Sequence, residues 1–201
     1  MIRYIEGKLK AKTKRGIVVL ANGVGYEIEL PPPARRLYAG RPEDDGVKLY
    51  ISYQATQQQP VPRLFGFPRE LERDFFEELI VVSGIGGPKA LDAMSMPIPQ
   101  IARAIVDQDA NTLRSLKGIG EATADNMVAQ LKRKVAKYAL LPEDAATSEP
   151  PDFKIEVRET LVKQLGFKSQ EAQRLIDLAM KENSAIKSAE ELFDEVLRLH
   201  K

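Results

Sequence analysis

The chain has no cysteine and a single histidine, His200, among its 201 residues. Without cysteine there is no disulfide and no thiolate metal site, which fits a reducing compartment. One histidine leaves no imidazole cluster for a metal and almost removes histidine acid–base catalysis. No apolar run reaches the roughly 18 residues of a membrane span, and Met1-Ile2-Arg3-Tyr4 opens no signal-peptide core. The expectation is a cytoplasmic protein with no membrane contact and no cofactor. A phosphate-binding G-x-x-x-x-G-K-[ST] loop is missing, so the chain carries no ATP motor by that route. Charge excess is missing too: 30 basic residues against 29 acidic ones leave +1. Any nucleic-acid site must therefore be a local patch. Glu70, Glu72 and Asp74 read as a solvated helix face, and no compact carboxylate constellation speaks for a nuclease.

What the chain does have is one short pattern written twice. Gly84-Ile85-Gly86-Gly87-Pro88-Lys89-Ala90 returns 34 residues later as Gly118-Ile119-Gly120-Glu121-Ala122-Thr123-Ala124. Each copy follows one helical stretch and opens another. The glycines let the backbone turn sharply and approach a ligand with no Cβ in the way. The amides after the second glycine open a helix, so they are unpaired donors at the positive end of its dipole, a geometry that suits a phosphate oxygen. A dinucleotide fingerprint would need a preceding strand and a third glycine; Leu71–Val82 has helical spacing instead. Two copies flanked by helices predict a paired helix-hairpin-helix, a module that grips DNA backbone without reading sequence. A bland alternative, in which the hairpins only pack helices in an adaptor protein, draws on Glu121 and on the near-neutral charge.

The fold class expected is multidomain α+β. Residues 1–67 read as a five-strand OB-type barrel, with strands at Ile2–Leu9, Gly16–Ala21, Gly25–Leu30, Val47–Tyr53 and Arg63–Phe67. Asn22-Gly23 marks a hairpin turn, and Pro31-Pro32-Pro33 reads as a strand breaker. Tyr26, Tyr50, Tyr53 and Phe65 read as core rather than as base-stacking platforms. Residues 68–140 form the all-α tandem hairpin domain, with Asp109 as an N-cap and Ala122–Tyr138 as one helix. The basic end of that helix, including Lys132 and Arg133, reads either as a solvated helix end or as a DNA contact. Residues 141–152 read as a flexible linker. Residues 153–201 read as a three-helix module, stopped at Gly166, capped by Ser169, and with Ser188 and Glu191 as a capping box. A unit of that size has a marginal core, which suits a docking module.

Barrel, paired hairpins, linker and terminal module, in that order, resemble the RuvA family of Holliday-junction-binding subunits over the whole chain. The most specific stretches are Asn22-Gly23-Val24-Gly25-Tyr26-Glu27, Leu64-Phe65-Gly66-Phe67, both hairpins, and Leu165-Gly166-Phe167. The resemblance implies a non-catalytic DNA-binding subunit that forms a tetramer, or an octamer of two, and holds a four-way junction open. It implies a RuvB-like ATPase docked on a UBA-like terminal module through Val162, Leu165 and Phe167, and a RuvC-like resolvase as a further partner. DNA contacts are expected from Ser83, Gly84, Ile85, Gly86, Gly87 and Lys89, and from Lys117, Gly118, Ile119, Gly120, Thr123, Lys132 and Arg133.

The sequence departs from that family in three places. An extra glycine, Gly87, moves the lysine of the first hairpin one position along. Glu121 and Ala122 stand where the second hairpin usually has lysines, and Lys117 is placed to compensate. The loop between Tyr53 and Leu64, which in the family carries carboxylates at the junction centre, holds Gln57, Gln58 and Gln59 and no carboxylate. The nearest acidic run, Glu43-Asp44-Asp45, lies at the other end of the strand.

Overall fold

The computed structural model describes residues 1–56, 59–142, 153–163, 165–183, 186 and 189–200. They form two compact units, Met1–Thr147 and Ser148–Lys201. Among the described residues no helix is long and apolar enough to cross a membrane.

The first unit begins with a closed barrel of five strands, β1 (Tyr4–Lys12), β2 (Gly16–Ala21), β3 (Val24–Glu29), β4 (Gly46–Thr56) and β5 (Gln59–Phe67), ordered β1-β2-β3-β5-β4. This is the expected OB-like architecture. Asn22 and Gly23, at φ 49° and 81°, make the turn between β2 and β3. β1 pairs with β4 through Tyr4–Lys8 and with β2 through Lys8–Lys12, with a register shift between Leu9 and Ala11. Closure is parallel, at Glu29↔Phe65. The alternating apolar residues point inward as the pattern requires: Ile28, Leu30, Val47, Leu49 and Ile51 are buried.

Two local readings change. Pro31-Pro32-Pro33 does not merely break β3; it starts a helix, α1 (Pro32–Ala39), with proline in its first turn and Tyr38 buried. A first-turn proline has no helical N–H to lose, and its fixed φ already suits the helix. The β4–β5 hairpin is also longer than the apolar alternation suggests, since β5 starts at Gln59, paired with Thr56. Gln57 and Gln58 lie outside the described residues.

β5 is where the barrel joins the helices. Leu64 and Gly66 face the barrel: Leu64 packs against its core, and a Cβ on Gly66 would stand 2.4 Å from Ile28 Cγ2. Phe65 and Phe67 belong to the helical core, with ring centroids 5.1 and 5.0 Å from Phe76. Phe65 is thus core as expected, but in the helices rather than the barrel; Tyr26, Tyr50 and Tyr53 are half-buried.

The helices are α2 (Glu70–Ile80), α3 (Gly87–Ala93), α4 (Ile98–Val106), α5 (Ala110–Ser115), α6 (Glu121–Leu131) and α7 (Ala136–Ala139). Asp109 caps α5, accepting from the amides of Asn111 and Thr112 at 3.1 Å each. These bonds, with one from the Thr112 hydroxyl, hold its carboxyl below the usual range. Glu70 and Asp74 are not idle surface acids: both clasp the buried Arg73 guanidinium at 2.7 Å. The single helix expected over Ala122–Tyr138 is interrupted at Lys132–Val135. The chain still keeps Leu131, Val135 and Tyr138 inward, so burial carries across a break in the backbone ladder.

The second unit holds α8 (Phe153–Lys163), α9 (Ser169–Glu182) and α10 (Ala189–His200) around Val157, Leu161, Ile176, Leu192 and Val196. Gly166, at φ 73°, follows α8 as the stop signal requires. Ser169 is not the N-cap of α9. Lys168 occupies that position, without a side-chain cap bond. Ser188 and most of 141–152 lie outside the described residues.

Candidate nucleic-acid interface

The two hairpins have the same backbone. Gly84 and Gly118 have φ of 83° and 84°, a left-handed conformation that a Cβ resists. The next residues, Ile85 and Ile119, point into the core, and their amides donate to Val82 and Leu116 carbonyls at 3.0 Å. Gly86 and Gly120 then cap α3 and α6, with φ/ψ of −93°/170° and −94°/179°.

That last pair separates fold from function. Their dihedrals are extended and open to any residue, and a Cβ built on either meets nothing within 4 Å. The fold does not require glycine there, yet glycine stands at both. Neither makes a side-chain cap bond, which leaves uncapped the Glu121, Ala122 and Thr123 amides of α6 and, since Pro88 has no N–H, the Gly87 and Lys89 amides of α3. Gly87 is different: its Cβ would fall 2.6 Å from the Phe65 ring. The additional glycine in the first hairpin is therefore a packing residue that lets α3 sit on β5.

The hairpins also hold each other, related by the same 34-residue offset. Lys89 meets its own counterpart: its ammonium donates to Thr123 Oγ1 at 3.3 Å and to Gly84 O at 3.0 Å. Lys117 reaches across to Asp92 Oδ2 at 3.2 Å. The counterparts of those two residues are Ser83 and Asn126, and Asn126 Nδ2 donates to the Ser83 carbonyl at 3.5 Å. The pair thus has an internal pseudo-two-fold relation, with Lys89 and Thr123 near its axis. Asp92 and Asn126 were missed as hairpin residues; extending the 34-residue offset beyond the glycines would have found both.

Ser83, Gly84, Gly86, Lys117, Gly118 and Gly120 are exposed around this axis, while Gly87, Lys89 and Thr123 are half-buried within it. Lys132 and Arg133 are exposed but stand at the far end of α6, about 18 Å along its axis from Gly120 at 1.5 Å per residue. They cannot share a phosphate with the cradle. In the second unit, Val162 and Phe167 pack partly onto their own core, whereas Leu165 is 48% exposed. β4 spans about 33 Å at 3.3 Å per residue, and Asp44 and Asp45 are tied at its start by Lys10 and Arg41. The acidic run cannot replace carboxylates at the hairpin tip.

A closed barrel sharing a strand face with paired hairpins defines a tandem helix-hairpin-helix protein. Residues 1–66 match the family described as RuvA N terminal domain, and residues 76–133 match the SAM-like Helix-hairpin-helix tandem. A protein of Desulfatibacillum aliphaticivorans is 44% identical over 201 residues, covering 98% of both chains. One of Desulfosudis oleivorans is 39% identical with 98% of both covered, and one of Rhodopirellula baltica 33% identical with 100% of both covered. Each of the three carries the name Holliday junction branch migration complex subunit RuvA. The chain belongs to the RuvA family.

Proposed function

We propose that this protein is the junction-binding subunit of a branch-migration complex, gripping the phosphate backbone of a four-way DNA junction with its two hairpins. One observation carries the reading: two helix N-termini of matching geometry, each opened by an exposed glycine that the fold itself does not demand. Full neutralisation by side chains is not needed, because amides and helix dipole supply the positive potential. The glycine-flanked amides, Ser83 and Lys117 are the contact set. Lys89 contributes by holding the hairpins together at their axis.

The subunit acts in recombination and DNA repair in the cytoplasm and performs no catalysis. It assembles as a tetramer, or as two stacked tetramers, and a RuvB-like ATPase supplies the work, docking at Leu165 with the flanks of Val162 and Phe167. A RuvC-like resolvase is a further partner. An adaptor whose hairpins only pack helices would have no use for open glycine caps.

The test is binding of the full chain to a synthetic four-way junction and to a linear duplex of equal length, across a salt series. The junction should bind more tightly, with affinity falling steeply with salt. Equal affinity for both substrates, or none for either, would sink the reading.

A further inference from the structure

We propose that Arg15, Arg35, Arg63 and Lys117 form a third phosphate-binding surface, which carries the DNA backbone from the second hairpin onto the barrel. This inference rests on the junction-binding reading and adds a site on an element to which the hairpins assign no contact.

The four cations come from the β1–β2 turn, α1, β5 and the second hairpin, and they converge on two carboxylates. Arg15 Nε and Arg63 Nε donate to Glu29 at 2.7 and 2.6 Å. Arg15, Arg35 and Lys117 approach Asp92 at 3.5, 3.4 and 3.2 Å. The acids lie beneath, with side chains 14% and 13% exposed, and the cations lie above, from 27% for Arg63 to 73% for Lys117.

Two carboxylates cannot neutralise four cations. A network serving only to glue barrel to hairpins would be stable with one acid per base, since each surplus positive charge repels its neighbours at these distances. Donors are in surplus as well. Each guanidinium has five N–H groups, and the bonds to Glu29 and Asp92 use only some of them. The hydrogen bond from Arg15 to Glu29 holds its guanidinium still more firmly charged. The surplus faces outward and adjoins the second hairpin through Lys117, the residue before Gly118. At the other end Arg63 lies on the β4–β5 hairpin, paired with Gln54. An anion of repeating charge running along that line fits the surface, and the ligand already assigned to the hairpin is one.

Asp92 makes the inference testable by sign. As seam glue it would be neutral or helpful to binding; beneath a phosphate track it repels the ligand. The full chain should be measured on a fluorescent four-way junction from about 50 to 200 mM salt. Arg35→Gln and Arg63→Gln should each flatten the slope of log K against log salt by about 0.9, the share of one phosphate on B-form DNA. Arg35→Lys should keep the wild-type slope, and Asp92→Asn should bind more tightly than wild type. Wild-type slopes in both glutamine variants, with thermal stability alone reduced, would overturn the proposal and leave the network as seam glue. Absence of wild-type junction binding would instead sink the junction reading, and this surface with it.

Discussion

Replacing Gly120 by alanine asks whether the glycine at a hairpin cap serves the fold or the ligand. Its φ of −94° is open to alanine, and the added Cβ meets nothing within 4 Å. An alanine N-cap is weaker than glycine by up to about 1 kcal/mol. The loss of unfolded-chain freedom returns roughly 0.4–1 kcal/mol. The melting temperature should therefore stay within about 2 °C of wild type in a domain of this size. Binding should not be spared, because the methyl occupies the space through which a phosphate oxygen reaches the first amides of α6. Hydrogen bonds to a charged group are worth about 1.5–3 kcal/mol, so junction affinity should fall about 10- to 150-fold. Gly118→Ala provides the opposite case. Its φ of 84° is left-handed, and alanine there costs about 1–2 kcal/mol, which lowers the melting temperature by several degrees. Differential scanning fluorimetry with anisotropy titrations on both variants resolves the two effects. Wild-type affinity for Gly120→Ala would refute the cradle, and an unshifted melting point for Gly118→Ala would refute the conformational argument.

Gly66→Ala should destabilise the first unit by about 1–3 kcal/mol through overpacking, since its Cβ overlaps Ile28; chemical denaturation measures it. Changing Gln57 to Glu and Gln58 to Asp should weaken duplex binding more than junction binding, because phosphate is repelled by carboxylates and not by amides; competition between the two substrates reads the ratio. An unchanged ratio would place the loop away from the junction centre. Deleting residues 142–201 should leave junction binding intact and abolish ATP-driven branch migration with the cognate motor. Leu165→Glu in the full chain should do the same, because Leu165 is half exposed and its loss leaves the module's core in place.

The hairpins were legible because they are written in backbone chemistry. A left-handed turn followed by a helix start needs glycine at fixed positions, and two copies at one spacing leave few other readings. The barrel was legible for a similar reason, since the alternation at Val47, Leu49 and Ile51 is a local signal. α1 was hidden because three prolines signal a break and a helix start equally well. The length of the β4–β5 hairpin was hidden because Pro60 and Pro62 argue against a strand from inside it. The Asp92 cluster joins residues as far apart as Arg15 and Lys117, so no window along the chain contains it. Leu165 follows the apolar spacing of α8, but that helix ends at Lys163 and leaves Leu165 half exposed.

The two faces of β5 have a mechanical consequence. One strand lends Gly66 to the barrel and Phe65 and Phe67 to the helices, so there is no hinge between them. Within the first unit, barrel and hairpins can neither bend nor twist independently without parting Phe76 from its two aromatic neighbours. A cut after Phe67 would divide the sequence at a sensible place and strip the helical half of two core rings. On the proposed reading, a DNA arm held by the hairpins would be fixed in angle to the barrel. Under that proposal, any adjustment of the arms at a crossover would come from the DNA itself, or from whole copies of the subunit shifting against one another.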